Sequence, residues 1–137
     1  ILLSLLLWLR LPAFHHLEKP HVMNVAIVGS RSFTDYERAE RFLAEQNIDI
    51  TRIISGGAKG ADAIAERYAS EHGIPITVYP ANWKRYGRGA GMIRNKLIIA
   101  DADVVVAFWD GASKGTKNSI ELAHKAGKQV VICSVSH

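Results

Sequence analysis

The chain has a single cysteine and no histidine spacing typical of a metal site. The cysteine, Cys133, lies in an apolar run typical of a strand, so we expect it to be a small buried hydrophobic residue. One cysteine excludes an internal disulfide framework, which makes a reducing cytoplasm the expected compartment. We predict no metal and no cofactor.

No hydrophobic run approaches the ~20 residues that a helix needs to cross a bilayer. The longest at the start of the chain, Ile1–Leu9, is far too short, so we expect no membrane partner. Residues 1–22 differ in character from the rest, and Met23 directly precedes a strong strand pattern. We therefore interpret residues 1–22 as a non-native or upstream leader, and residues 23–137 as one domain.

The chain also lacks an extreme charge and two familiar phosphate-binding motifs. Its net charge is +4 over 137 residues, so the position of the charges matters more than their sum. Neither G-x-x-x-x-G-K-[ST] nor G-x-G-x-x-G occurs, so a P-loop or dinucleotide-binding function has no motif support. The spacing of serine, histidine and acidic residues does not favour nucleophilic hydrolysis.

From Met23 onward, short β-branched runs alternate with helical patterns. The predicted strands are Val25–Val28, Thr51–Ser55, Ile74–Tyr79, Val104–Trp109 and Gln129–Val135. One helix is predicted after a capping box at Thr34–Glu37 and another after the glycine loop that ends at Gly60. Two more are predicted at Met92–Ala100 and Thr116–Ala126, whereas Pro80–Gly91 is expected to be irregular. This alternation predicts an α/β fold: a three-layer, doubly wound, Rossmann-like parallel sheet of about five strands in the order 3-2-1-4-5.

The stretch from Ile53 to Tyr68 is the most informative part of the chain. A strand runs into a loop with three glycines, Gly56, Gly57 and Gly60, and a helix follows directly. Such a loop aims backbone N–H groups and the positive end of a helix dipole at one point, which suits an anion. We therefore predict a phosphate-binding loop here.

Two further glycine-bearing loops, Gly29–Arg31 after the first strand and Asp110–Lys117 after the fourth, are predicted at the same edge of the sheet. Ligands of such folds bind at this edge. The predicted ligand-binding residues are Gly29, Ser30, Arg31, Gly56, Gly57, Lys59, Gly60, Asp62, Arg94, Asn95, Asp110, Gly111, Gly115 and Thr116. The glycines permit close backbone approach, and the amides before the helices at Asp62 and Thr116 bind phosphate. Arg31 and Arg94 hold the anion, while Asp62, Asn95 and Asp110 bind ribose or base.

Several of these residues also have ordinary structural explanations. Lys59 could simply be solvated. Arg94 is better placed for a role in the pocket, because it is predicted one turn into a helix after a glycine-rich loop, with Ile93, Leu97 and Ile98 on the packed side. Trp83 and Trp109 are expected in the core, with a base stacked on one of them as the alternative.

Four motifs in this order resemble the SLOG superfamily, in its YspA-type, YpsA-related branch. They are Val-Gly-Ser-Arg at 28–31, Gly-Gly-Ala-Lys-Gly-Ala-Asp at 56–62, Gly-Arg-Gly-Ala-Gly-Met-Ile-Arg-Asn at 87–95, and Ala-Phe-Trp-Asp-Gly-x-Ser-x-Gly-Thr at 107–116. The resemblance implies a Rossmann-like domain that binds a nucleotide or nucleotide-derived ligand as a sensor.

Two better-understood relatives imply different functions. The LOG-type phosphoribohydrolases pair an arginine with a glutamate three residues after Gly-Thr, and Arg94 matches the arginine. This resemblance also implies that a homodimer is plausible. Ser119 stands at the position of that glutamate, which leaves Asp110 or Glu121 as substitute acids. The DprA-like proteins bind single-stranded DNA, which needs a basic groove with aromatic stacking surfaces. A small version is offered here by Trp83, Tyr86, Arg85 and Arg88. Because the family acid is absent, we predict binding without catalysis, with LOG-like hydrolysis and DNA binding as alternatives.

Overall fold

The computed structural model describes residues 22–136 and shows a five-stranded, all-parallel sheet with helices on both faces. The strands are β1 (Asn24–Gly29), β2 (Arg52–Ser55), β3 (Ile76–Val78), β4 (Val104–Trp109) and β5 (Gln129–Ser134). The helices are α1 (Tyr36–Glu45), α2 (Ala61–Glu71), α3 (Trp83–Tyr86), α4 (Ala90–Asp101) and α5 (Lys114–Lys125), with a 3₁₀ turn at Gly87–Gly89. The spatial order β3-β2-β1-β4-β5 confirms the predicted fold. Except for Val22, the predicted leader lies outside the described residues.

The central strand β1 is buried on both faces, as its continuous apolar run predicts. Val25 and Ile27 join the core beneath α1 and α2, while Ala26 and Val28 join the core beneath α4 and α5. The two cores make the molecule a three-layer sandwich. The loops that leave the carboxyl ends of β1, β2 and β4 are therefore held by a well-packed centre.

Helix α2 packs with the face that its spacing predicts. It buries Ala61, Ile64, Ala65, Tyr68 and Ala69. Gly73 follows its C-cap with a φ of 63°, a conformation that glycine adopts without strain. The start of α2 is thus fixed against the sheet, directly after the glycine loop.

Two local predictions are wrong. The N-cap of α1 is Asp35, whose Oδ1 accepts a hydrogen bond from the Arg38 N–H at 3.1 Å, so the predicted capping box does not form. The stretch 80–91 is helical over most of its length, because Asn82 caps α3 by accepting a bond from the Arg85 N–H at 3.1 Å. An asparagine N-cap thus starts this helix. The glycines that follow it are unfavourable in helices, which is why the sequence pattern predicted an irregular stretch.

Helix α4 presents a different face to the sheet from the one predicted. Ile98 and Ile99 are buried, but Ile93 is 38% exposed and Leu97 is 51% exposed. The prediction that Ile93 and Leu97 pack inward is therefore wrong. The buried face instead includes Asn95, and this orientation brings the neighbouring Arg94 against the β2 loop.

An ion-pair network closes the amino edge of the sheet, opposite the glycine loops. Arg52, the first residue of β2, binds Asp101 at the end of α4 through two nitrogens, at 2.6 Å and 3.0 Å. The same guanidinium also donates to Asn24 and Thr77, and Tyr79 donates to Asp101. The network joins the strands to α4 far from the predicted ligand site.

Within residues 22–136, no helix is long and apolar enough to span a membrane. The same part of the chain holds no cluster of three or more histidine, cysteine or acidic side chains that could bind a metal ion. Cys133 is buried, as predicted, and burial raises the pKa of its thiol.

Candidate functional site

A cavity of about 510 Å³ opens at the carboxyl edge of the sheet, between the loops that follow β1, β2 and β4. We call it the edge cavity. Its volume lies within the usual range for small-molecule sites, roughly 300–1,000 Å³. The residues that line it come from four separate segments of the chain, within 28–32, 58–62, 83–98 and 113–119. The fold thus assembles the cavity where the glycine loops predict it.

Seven of the predicted binding residues line the edge cavity. The β1 loop contributes Gly29 and Arg31, and α2 contributes Asp62. On the opposite side, α4 contributes Arg94 and Asn95, and the first turn of α5 contributes Gly115 and Thr116.

The other predicted residues lie nearby but do not line the cavity, and several of them shape it. The Ser30 hydroxyl accepts a bond from the Asp110 N–H at 3.2 Å, and the Ser30 carbonyl accepts one from the Ala61 N–H. Gly57 and Gly111 provide positive-φ turns, at 73° and 82°. Lys59 is exposed, which agrees with the alternative that its side chain is solvated and does not bind a ligand.

Asp62 alters the expected chemistry of the β2 loop. Its side chain is 9% exposed, and its Oδ2 accepts a bond from the Ala58 N–H at 3.1 Å. Burial raises the pKa of this carboxyl, while the Ala58 bond and the charge of Arg94 act in the opposite direction. The predicted phosphate cradle thus contains a carboxylate of its own, which disfavours a second anion at the same point.

Arg94 is held in place by the glycine loop. Its Nη1 donates to the Gly56 carbonyl at 2.7 Å, and its Nε donates to Asn95 Oδ1 at 3.1 Å. A Cβ added at Gly56 would lie 2.5 Å from Arg94 Nη1 and 2.9 Å from Asp62 Oδ2. The glycine at this position is therefore required by the arginine and the carboxylate of the protein itself.

Asn95 holds both sides of the cavity together. Its Nδ2 donates to Asn118 Oδ1 at 3.0 Å and, more weakly, to the Gly115 carbonyl at 3.4 Å. With its oxygen accepting from Arg94, the amide is committed within the protein. The Asn95 amide therefore orients Arg94, and its binding of ribose or base stays a prediction.

The first turn of α5 lines the edge cavity and has the free backbone amides that an anion site needs. Its N-cap residue, Ser113, makes no side-chain bond to the helix amides, because its Oγ contacts Ser30 Oγ at 3.0 Å and Asp110 Oδ2 at 3.2 Å. The amide of Lys117 is the first to bond within the helix. The N–H groups of residues 114–116 therefore have no hydrogen-bond partner among the described residues, as phosphate binding at a helix start requires.

Asp110 builds the loop before α5 and does not line the cavity. Its Oδ1 accepts bonds from the N–H groups of Ala112 and Ser113, at 2.9 Å and 2.8 Å. Glu121 is exposed on α5 and does not line the cavity either. Among the residues that line the cavity in the described part of the chain, Asp62 supplies the carboxylate.

Among the described residues, three cationic side chains besides Arg94 line the cavity: Arg31, Arg88 and Lys114. Trp83 also lines it and is 51% exposed, so the expectation that Trp83 lies in the core is wrong. Trp109, by contrast, packs against the core beneath α4 and α5 and donates to the Ser113 carbonyl at 3.1 Å. A tryptophan face beside several cations suits an aromatic, anionic ligand.

Several residues that line the cavity were not predicted as binding residues, among them Ser32, Ala58 and Ser113. A signal for Ser113 existed, since a serine directly before a helical pattern is a typical N-cap. Residues 111–115 also match Gly-x-Ser-x-Gly, a pattern of serine hydrolases. Ser113 has an unstrained φ of −61°, and no histidine of the described chain lines the cavity, so the geometry does not support a serine nucleophile.

The fold and the site together define a Rossmann-like domain with a cavity at the carboxyl edge of its sheet that several cationic side chains line. The family model described as "YspA, cpYpsA-related SLOG family" matches residues 23–86. The chain is 36% identical to the Gene 61 protein of Mycobacterium phage D29, over 78% of this chain and 93% of that protein. The chain belongs to the YspA, cpYpsA-related SLOG family.

Two solved structures share the fold. DNA processing protein A (DprA) from Streptococcus pneumoniae matches with a TM-score of 0.68 at 20% identity, over 84% of this chain and 51% of that chain. DNA processing protein A from Helicobacter pylori, whose structure describes a single-stranded DNA binding mode, matches with a TM-score of 0.60 at 26% identity, over 80% of this chain and 64% of that chain. The chain thus spans less than two thirds of either protein.

Proposed function

We propose that this protein binds a nucleotide or a nucleotide-derived ligand in the edge cavity, as a sensor or binding domain without catalysis. The observation that carries the proposal is the first turn of α5, with its unpartnered amides beside Lys114 and Arg31 in a cavity of about 510 Å³. This combination suits a phosphate attached to a larger polar body. Membership in the SLOG family supports a role in binding nucleotides or nucleic acids.

In this proposal the phosphate sits on the amides of Gly115 and Thr116, and Arg31, Arg88 and Lys114 neutralise its charge. Arg94 approaches from the other side, oriented by its bonds to the β2 loop and to α4. The base stacks on the exposed face of Trp83, as an aromatic ligand does on a tryptophan.

The proposal of binding without catalysis is supported by the loss of the family acid and by the positions of its two substitute candidates. The family glutamate is replaced by Ser119, which is buried and lines the cavity, while Asp110 and Glu121 do not reach it. LOG-like hydrolysis of nucleoside 5′-monophosphates is the alternative. Incubation of the protein with each monophosphate, followed by chromatography for free base, tests it: base release that depends on Arg94 would establish an enzyme.

Single-stranded DNA is the second candidate ligand, favoured by the likeness to the Helicobacter pylori protein. Trp83 and Tyr86 are 51% and 42% exposed on the short helix that also carries Arg85, with Arg88 just beyond it. Exposed aromatic and cationic side chains of this kind bind single strands. Fluorescence anisotropy with a short oligothymidine at increasing salt tests this function, which requires steep salt dependence.

A thermal-shift screen of nucleoside mono- and diphosphates and ADP-ribose tests nucleotide binding. A ligand present at 100 times its Kd stabilises the protein by about 2.7 kcal/mol, which raises the Tm of a domain of this size by roughly 10 °C. Arg94→Ala should lose most of this shift. The exposed Arg41 of α1, which does not line the edge cavity, gives the matched control, Arg41→Ala. Equal shifts in both variants would exclude the edge cavity as the binding site.

A cytoplasmic location and a homodimer remain part of the proposal. Cell fractionation tests the location. Light scattering of the purified protein at several concentrations tests the dimer, and a mass of one chain throughout would exclude it.

A further inference from the structure

The carboxylate of Asp62 has unused hydrogen-bonding capacity. It is 9% exposed, lines the edge cavity and, within residues 22–136, accepts one bond, from the Ala58 N–H to Oδ2. A carboxylate has about four acceptor sites, and a buried polar group without partners is unfavourable. Arg94 lies across Gly56 from it, but no nitrogen of Arg94 comes within 4.0 Å of the carboxylate oxygens to form an ion pair. Asp62 therefore presents open acceptor sites to a ligand that brings donors.

The position of Asp62 relative to the anion site limits which part of the ligand it meets. Asp62 follows β2, the α5 amides follow β4, and β1 lies between those two strands. Neighbouring strands are ~4.8 Å apart, so the two loops start about 10 Å from each other. A phosphate seated on α5 leaves space for a sugar before Asp62 is reached, and the negative charge of Asp62 keeps the phosphate at the α5 end.

We infer that Asp62 accepts hydrogen bonds from the ribose hydroxyls of the bound nucleotide, so that the protein selects ribonucleotides over deoxyribonucleotides. This inference rests on the proposed nucleotide-binding function. A vicinal diol offers two donors that match the two oxygens of one carboxylate. A sugar directly attached to the phosphate also reaches Asp62 more easily than the edge of a base does. A site of this kind works against the binding of DNA.

The test compares each ribonucleoside 5′-monophosphate with its 2′-deoxy counterpart by isothermal titration calorimetry. A site with a charged hydrogen bond to the missing hydroxyl should bind the deoxy compound about 10- to 100-fold more weakly. Asp62→Asn keeps the shape and one acceptor, and should reduce the preference to less than about threefold. Ribose 5-phosphate, which has no base, should still bind, and Asp62→Asn should weaken its binding.

Arg31→Gln is the matched control, because it removes a charge at the anion site and leaves Asp62 in place. It should weaken both members of each pair and keep their ratio. If ribo and deoxy compounds bind wild-type protein equally, or if Asp62→Asn keeps the full preference, Asp62 does not bind the ribose. If the preference follows the base instead, Asp62 reads a base N–H and the inference is wrong. If no nucleotide binds at all, the proposed function itself fails, and the two failures are thereby distinguished.

Discussion

Replacing Gly56 by alanine is the sharpest perturbation that the site offers. Gly56 does not have a positive φ, so alanine introduces no backbone strain there. The new Cβ would lie 2.5 Å from Arg94 Nη1 and 2.9 Å from Asp62 Oδ2, both at the ends of side chains. We therefore expect Gly56→Ala to fold, with the guanidinium and the carboxylate pushed from their places.

The expected loss of stability is modest. The hydrogen bond of 2.7 Å from Arg94 to the Gly56 carbonyl involves a charged donor, and its loss should cost about 1.5–3 kcal/mol. Alanine offsets about 0.4–1 kcal/mol of this by restricting the unfolded chain. A net decrease of about 1–2 kcal/mol in the free energy of unfolding follows, while nucleotide binding should fall at least tenfold because both side chains move.

Two other glycines serve as stability controls in urea unfolding, and titration with nucleotide measures the binding of Gly56→Ala itself. At Gly60, with a φ of 68°, a Cβ would lie 2.4 Å from the carbonyl oxygens of Ser30 and Arg31, so Gly60→Ala should destabilise by more than about 3 kcal/mol. At Gly115 the added Cβ would meet no atom within 4 Å, so Gly115→Ala should be neutral or slightly stabilising. If Gly56→Ala binds nucleotide as tightly as wild type, the arrangement of Arg94 and Asp62 does not contribute to the site.

Two further predictions concern stability. Burial raises the pKa of Asp62 in the folded protein above its value in the unfolded chain, so the folded state binds the proton more strongly. The free energy of unfolding therefore falls as pH rises from the unfolded pKa through the folded pKa. Asp62→Asn should therefore unfold at a higher urea concentration than wild type at pH 7, with the difference shrinking toward pH 4; a constant difference would refute this origin. Arg52→Met removes the bidentate pair with Asp101 at the opposite edge of the sheet, and should cost about 1–3 kcal/mol with unchanged nucleotide affinity. A changed affinity in this variant would mean that the two edges of the sheet are coupled.

The fold could be predicted from the sequence because its signals are local and agree with one another. The β1 run predicts a strand buried on both faces, and the spacing from Ala61 to Ala69 predicts the face of α2. The position of the glycine loops at one edge of the sheet follows from the order of strands and helices alone. These features depend on near neighbours in the chain, which is why pattern reasoning reaches them.

The inner arrangement of the site depends on contacts between distant segments, and sequence patterns do not contain them. Gly56 was predicted to make room for a ligand, yet it makes room for Arg94, 38 residues further along. Asp110 was predicted in the pocket, yet its carboxylate is turned onto the amides of its own loop. Ile93 and Leu97 fit a helical stripe, but the rotation of α4 is set by how Ile98 and Asn95 pack.

The segment from Trp83 to Gly89 has a consequence for how this protein can change over time. It forms part of the wall of the edge cavity, yet none of its residues is buried. Substitutions at such positions usually alter the free energy of unfolding by less than about 0.5 kcal/mol. The ligand preference of related proteins can therefore diverge through Trp83 and Arg88 while the sheet and its two cores stay constant. Because its residues contact the cavity and contribute little to the stability of the fold, this segment is the place to begin in designing a domain with a new ligand.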